Sequence, residues 1–197
     1  MSDIAIHDAS DEELARLSVH EPEAFGVLMS RYEGKLLHYI MRKSAVTREG
    51  AEDILQESFL KAYRNLNNFD GRLSFSSWMY RIVRNQTISQ WRKTSVRPEG
   101  YSVSIDDTFI DRFVADGDVV LDLDRGILAE NVGSLLAQMD EKYRDVLVLR
   151  FMEDKSYAEI SDILKKPPGT VATTLSRAKK QFAGLLDQDT QPELAPL

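Results

Sequence analysis

The stretch Ser156-Tyr157-Ala158-Glu159-Ile160-Ser161-Asp162-Ile163-Leu164-Lys165-Lys166-Pro167-Pro168-Gly169-Thr170-Val171-Ala172-Thr173-Thr174-Leu175-Ser176-Arg177 decides the fold. Ser156 followed by Glu159 is a capping box that starts a short helix through Leu164. Tyr157, Ile160, Ile163 and Leu164 form its inward face. Lys165-Lys166-Pro167-Pro168-Gly169 breaks that helix. A second helix follows, with Val171, Leu175, Ala178 and Phe182 on its buried face. Helix, tight turn and helix make a helix-turn-helix, in which the first helix braces the second so that it can lie in a DNA major groove. The outward positions of the second helix are Thr170, Thr173, Thr174, Ser176, Arg177 and Lys180. Hydroxyl and guanidinium groups suit base edges, while Arg177, Lys179 and Lys180 suit phosphates. A hairpin that packs and binds nothing would show the same periodicity, but the net positive charge of 156–182 favours DNA.

Working outward, the apolar periodicity is helical almost everywhere. Val132, Leu135, Leu136 and Met139 form one stripe, and Tyr143, Val146, Leu147, Arg150 and Phe151 a second. Near the N-terminus a short helix is expected within 10–20. A longer one carries Phe25, Leu28, Met29, Tyr32, Leu36, Tyr39 and Ile40, and another Ala51, Ile54, Leu55, Ser58, Phe59, Ala62, Tyr63 and Leu66. Ser74 is the expected N-cap of a helix to about Lys93 whose apolar face is Phe75, Trp78, Met79, Ile82 and Val83. The fold class is therefore all-α: two small helical domains joined by a flexible acidic linker, the second containing the helix-turn-helix. The expected boundaries are 1–97 for the first domain, 98–130 for the linker, 131–186 for the second domain and 187–197 for an acidic tail.

The chain has 197 residues and a formal charge of −7, which read as a total argues against nucleic acid. The charge is segregated, however. Residues 61–97 hold 8 basic and 1 acidic side chains, 98–130 hold 2 and 9, and 142–182 hold 9 and 5. Salt screens charges beyond roughly 8–10 Å, so local potential governs phosphate binding. There is no cysteine, which excludes disulfides and thiolate metal sites and makes a reducing cytoplasm the default. His7, His20 and His38 lie outside the informative segments. No apolar run is long enough to span a bilayer, and no secretory signal is visible.

In 69–93, Phe69, Phe75, Trp78, Tyr80 and Trp91 stand beside Arg72, Arg81, Arg84, Arg92 and Lys93. On a helix Arg81, Asn85, Ile88 and Arg92 share one stripe, flanked by Arg84 and Trp91. Rings that stack bases and cations that follow the backbone are what single-stranded DNA requires. Phe75 and Trp78 fit the core better than a stacking platform, and Phe69, in the turn, is the better base contact. In Glu52-Asp53-Ile54-Leu55-Gln56-Glu57, the outward Asp53, Gln56 and Glu57 suit a basic protein partner, or simply a solvated face.

Taken together, these residues resemble the extracytoplasmic-function (ECF) sigma factors, small two-domain specificity subunits of bacterial RNA polymerase. The resemblance runs through Ala51–Tyr63, Phe75–Asn85, Tyr143–Leu147, Ser156–Ile160 and Gly169–Val171 with Leu175–Ala178, covering about 24–94 and 131–186. It implies that Asp53, Gln56, Glu57 and the adjoining Lys61 dock on the coiled coil of the largest polymerase subunit. It also implies that Phe69, Trp78, Arg81, Arg84, Asn85 and Arg92 capture and help melt the minus-ten element. Thr170, Val171, Thr173, Thr174, Ser176, Arg177 and Lys180 would read the minus-thirty-five element as duplex, and the acidic linker would run toward the RNA exit path. An anti-sigma factor is an implied partner, with neither cofactor, metal nor catalytic residue. The pattern departs at Ala172 and Thr174, where the family usually has basic residues, and at Pro168, which replaces an apolar residue; Lys165 and Lys166 instead put cations in the turn.

A flexible linker over 98–130 spans roughly 30 Å at rest and about 110 Å stretched, while the two promoter elements lie roughly 70 Å apart. The free chain is therefore expected to be compact or held shut, and to be spread by polymerase. It is expected to be a monomer, since it shows no heptad seam. A stand-alone helix-turn-helix regulator with a helical sensor domain is the alternative, disfavoured by the cationic, aromatic segment. An enzyme would need partners for acids such as Asp106 and Asp107, and none accompanies them.

Overall fold

The computed structural model describes residues 7–44, 46–71, 73–94, 109, 112, 113, 116 and 125–190. Among these it is helical throughout, without strands. The first group comprises α1 (Asp11–Leu17), α2 (Pro22–Lys43), α3 (Arg48–Arg64), a 3-10 turn (Leu66–Asn68) and α4 (Phe75–Thr94). The second comprises α5 (Arg125–Gln138), α6 (Glu141–Leu147), a π-helical turn (Val148–Met152), α7 (Tyr157–Leu164) and α8 (Pro168–Thr190). Arg72, Asp106, Asp107 and the tail residues 191–197, all named above, lie outside the described residues.

The helix starts follow local chemistry. Ser10 and Glu13 form a capping box on α1, Pro22 opens α2, and the Thr47 hydroxyl accepts from Gly50 N on α3. Ser74 caps α4 by accepting from Ser77 N at 3.1 Å. The carboxylate of Glu12 adds a second cap from a distant element, accepting from Phe75 N at 2.9 Å. Inside, Tyr32, Leu36, Tyr39, Ile40, Ile54, Phe59, Phe75 and Met79 close the first core.

In the second group the Ser156–Glu159 capping box is present. Helix α7 ends at Lys165, which takes the left-handed conformation at φ 52°. The Lys166 backbone N–H returns to Ser161 O, and the Ser161 hydroxyl donates to Lys166 O. Two expectations are corrected here. Tyr157 does not face inward but is 38% exposed, because it opens the helix with its ring against the Arg150 guanidinium. Nor is the linker featureless. Phe109 and Phe113 are buried, their rings packed with Phe151 and Phe182 at centroid distances of 5.1–5.9 Å. Four rings in edge-to-face contact are worth more than their area alone, which explains why a stretch rich in aspartate is anchored at these two points.

The two groups pack on one another, α4 against α7 and α2 against the π turn. Buried ion pairs lie in this contact beside an apolar core that runs through both groups. Asp145 on α6 is 2% exposed and accepts from both Lys43 of α2 and Arg84 of α4. Glu153 accepts from Arg42 at 3.1 Å and from the Tyr80 hydroxyl at 2.7 Å. Lys155 lies over the Tyr80 ring and donates to Ser76 Oγ at 2.8 Å. Burial pushes the Asp145 carboxyl up, but Lys43 and Arg84 outweigh it and hold the group below its ordinary value. Burial dominates at Lys43 and holds its ammonium below the usual value despite Asp145.

Truncating one member of the aromatic cluster, Phe113→Ala, should cost about 3–5 kcal/mol of unfolding free energy in denaturant titrations. Conversely, Lys165→Gly should stabilise the protein by about 1 kcal/mol, because glycine adopts positive φ without the side-chain clash. A depressed folded pKa stabilises above the unfolded value, near 4, and the effect is lost as pH falls through the folded value. Acid titration of stability should therefore be steeper in the wild type than in Asp145→Asn.

Candidate nucleic-acid interface

Helix α3 buries Ala51, Ile54, Leu55, Ser58, Phe59 and Ala62, which turns Asp53, Gln56 and Glu57 outward, all exposed. Lys61 continues that face, its ammonium 3.4 Å from Gln86 Oε1. The structure adds Leu60, 49% exposed in the middle of these polar residues, and Tyr63 at 41%. Sequence periodicity placed Tyr63 on the inner stripe. It sits at the margin instead, leaning on the Phe25 ring. An apolar residue ringed by carboxylates and an amide suits an interface whose centre is dry and whose rim is charged.

The segment leading into α4 sets up the second surface. Asn65 donates to Lys61 O at 2.7 Å and ends α3; the 3-10 turn then delivers Phe69. Its half-buried ring lies 5.7 Å from that of Phe75 and 5.2 Å from that of Trp78. Trp78 is 7% exposed. It packs against Phe69 and is core, the role its place on the apolar face of the helix favoured, although the resemblance groups it with the minus-ten contacts. Further along α4, Arg81 is half-buried while Asn85, Trp91 and Arg92 are exposed. Arg84, grouped with them from the sequence, points at the second helical group. Its Nη2 lies 2.6 Å from Asp145 Oδ2 and 3.8 Å from Glu141 Oε1. Asn85, Arg92 and Lys93 line an open cleft whose other wall is Asp140, Glu141 and Lys142.

On α8 the exposed positions are Thr170, Thr173, Ser176, Arg177 and Lys180, with Thr174 partly covered. The Thr173 and Thr174 hydroxyls donate to Gly169 O and Thr170 O, leaving their lone pairs turned out as acceptors. Val171 is 0% exposed, so its assignment to minus-thirty-five contact is corrected: it is a core residue of the helix-turn-helix. Lys179 is corrected as well. It is 3% exposed and its ammonium lies 2.7 Å from Asp116 Oδ2, so an acid of the linker segment, not a phosphate, holds it here. Lys165 and Lys166 are exposed in the turn. Among the described residues no group of three acids or histidines could hold a metal, and no helix is long and apolar enough to cross a membrane.

Sequence periodicity did not single out Asp145, Glu153 or the cations that meet them. The one available signal was a lone acid directly before the apolar run Val146–Leu149, where no carboxylate is stable unpaired.

Comparison with known proteins agrees with this geometry. The sigma-70 region 2 family matches residues 28–97 and the sigma-70 region 4 family residues 129–182. The ECF RNA polymerase sigma factor SigW of Bacillus subtilis is 34% identical over 169 residues, covering 81% of this chain and 87% of that protein. The RNA polymerase sigma-H factor of Pseudomonas aeruginosa is 31% identical over 192 residues, covering 93% and 95%. Two solved structures share the fold. CnrH, in complex with the cytosolic domain of CnrY, has a TM-score of 0.68 at 24% identity, covering 92% of this chain and 100% of that one. RpoE of Bartonella quintana, in complex with the anti-sigma factor NepR, has a TM-score of 0.62 at 21% identity, covering 84% and 98%. A helix with an exposed polar stripe, a helix-turn-helix and relatives matched over nearly their whole length place the chain in one family: it is an ECF sigma factor of the sigma-70 family, a promoter-recognising subunit of RNA polymerase.

Proposed function

We propose that the three exposed surfaces divide the work of initiation among themselves. The α3 face of Asp53, Gln56, Glu57 and Lys61, centred on Leu60, docks on the coiled coil of the largest polymerase subunit. Phe69 with Arg81, Arg84, Asn85 and Arg92 captures the minus-ten element as single-stranded bases. Thr170, Thr173, Thr174, Ser176, Arg177 and Lys180 read the minus-thirty-five element as duplex, with Lys165 and Lys166 supplying backbone attraction from the turn. The division into 1–97, an acidic linker over 98–130, a second domain over 131–186 and a tail over 187–197 follows the same reading. The observation that carries it is the outward stripe Asn85–Trp91–Arg92 on the helix that Phe69 introduces. An intact duplex offers no unstacked base to such a ring, whereas a melted strand does.

No step here is catalytic for the chain itself; the chemistry belongs to the polymerase. The place of action is accordingly the cytoplasm, with an anti-sigma factor as regulator, since CnrH and RpoE of Bartonella quintana were each solved with such a cytosolic or inhibitory partner. A stand-alone regulator would need an effector cavity in its first domain; here Tyr32, Tyr39, Phe75 and Met79 fill that interior.

The variant Asp53→Ala, Gln56→Ala, Glu57→Ala should lose core polymerase in pull-down assays while retaining its helical circular dichroism. Retention of polymerase by this variant, or by neither protein, would count against the reading. In the reconstituted holoenzyme, Arg177→Ala should lower the slope of log affinity against log salt for promoter duplex by about one, the signature of one lost phosphate contact.

A further inference from the structure

Helix α1 lies before the stretch 28–97 that the sigma-70 region 2 family matches, and none of the three proposed surfaces includes it. Its first two residues are nevertheless tied to the segment that delivers Phe69. The Glu12 carboxylate accepts from Phe75 N at 2.9 Å, across 63 positions of sequence. Asp11 accepts from the Tyr32 hydroxyl and lies 2.7 Å from Arg31 Nη1. The Tyr32 ring meets that of Phe75 edge-on, 5.5 Å between centroids, and Phe75 in turn meets Phe69 at 5.7 Å. Both acids therefore converge on Phe75, Glu12 on its backbone and Asp11, through Tyr32, on its ring. We propose that Glu12 is a positioning residue for minus-ten capture: by holding Phe75 it fixes the downstream end of the loop on which Phe69 meets an unstacked base. The inference rests on Phe69 being the base contact.

The bonds inside the loop are local. Phe69 N donates to Leu66 O at its upstream end, and Leu73 N donates to Asp70 O further on. Such bonds shape a turn without fixing where it sits on the protein. Helix α4 also has a cap of its own, since the Ser74 hydroxyl accepts from Ser77 N and Ser74 O accepts from Trp78 N. What Glu12 adds is a fixed distance between α1 and the residue where the loop ends. A charged acceptor makes the shorter and stronger kind of hydrogen bond. Helix α1 is itself anchored by Leu14 and Ala15, both buried, and packs on α2 and on α4. The ring of Phe69 is only half-buried, so its place is set by the rings it leans on, Phe75 and Trp78. A ring that stands ready before the base arrives gains affinity, because no ordering has to be supplied at binding. The contact depends on the length of the acid as well as on its charge: an oxygen one methylene shorter falls short of Phe75 N.

Reconstituted holoenzyme carrying the full-length chain tests this with a fluorescent single-stranded oligonucleotide, the minus-ten segment of a promoter that the wild-type holoenzyme opens. A set of such oligonucleotides, each with one abasic position, identifies the base that Phe69 takes: its removal should weaken binding by the wild type and leave Phe69→Ala unaffected. Glu12→Ala should bind the intact oligonucleotide about fivefold more weakly, the scale of one hydrogen bond, and should lose most of the penalty at that abasic position alone. Glu12→Gln keeps an oxygen at the right length and should restore both readings. Glu12→Asp keeps the charge at the wrong length and should behave as Glu12→Ala. Core polymerase affinity and far-ultraviolet circular dichroism should be unchanged in all three. Should Glu12→Ala reduce helicity, the other two variants decide, because support of the fold by charge alone would rank them in the opposite order. Glu12→Asp binding as wild type does, with the full abasic penalty, overturns the positioning role. So does a loss of affinity spread evenly over every abasic position. If Glu12→Ala binds more tightly and with a steeper salt dependence, the carboxylate screens phosphates from the start of α4, and positioning is again overturned. In each of these cases the functional reading stands, provided that Phe69→Ala has lost its own abasic signal. If Phe69→Ala keeps every penalty of the wild type, Phe69 is not the base contact and both readings fall.

Discussion

A carboxylate removed from water must find cations close by, and Asp145 constrains the molecule through that requirement. At 2% exposure its charge is offset by Lys43 and Arg84 together. Those partners come from α2 and α4, so one side chain fixes the position of α6 against two helices of the other group. The aromatic cluster fixes the rest of the second group internally, and the π turn between them presents Glu153 and, just beyond it, Lys155 to α2 and α4. Charges at known positions thus fix how the two groups register on one another, while apolar burial forms each interior and continues from one group into the other. These are different kinds of interaction, with different sensitivity to acid and to competing anions.

The same distinction explains what was legible in the sequence. Helices whose apolar residues recur at the helical period came out close to their observed limits: the expected helix from Ser74 to about Lys93 is α4, and the capping box at Ser156 and Glu159 stands where it was expected. Burial of one face is a local statement about a helix, and the period carries it. Val171 shows the limit of reading one helix at a time, since it fell on the buried face of the helix and was still counted with the base-reading positions; full burial leaves it to the core. Trp78 was similarly poised between platform and core, and only the rings of Phe69 and Phe75 settle which side it takes. Pairings across the chain were not legible. Nothing in the period says that Lys43 meets a residue 102 positions later, or that Lys179 is neutralised by Asp116 and withdrawn from the DNA-facing set.

The acidic segment between the groups acquires a physical role from two residues. Phe109 and Phe113 enter the cluster of Phe151 and Phe182, and Asp116 then reaches Lys179 and lies 3.7 Å from Arg150. Anchoring the C-terminal part of the segment on the second group shortens the chain free to span the gap to the first. The reach of about 110 Å calculated for 98–130 as a wholly free tether is therefore an upper bound. With Phe109 and Phe113 docked, a tether of 98–108 would reach about a third of that length, shorter than the separation of the two promoter elements. Spreading over a promoter then requires either that the second group move as a body with its anchor, or that the aromatic anchor itself let go.

The arrangement has a direction built into it. The face of α3 is exposed whether or not the two groups are together, while Arg84 is available only when they part. A surface that is always open can be engaged first, and one that is covered can be engaged only after something has supplied the free energy to uncover it. Under the proposed reading, the polymerase-docking face of α3 is of the first kind and Arg84 on the minus-ten surface is of the second.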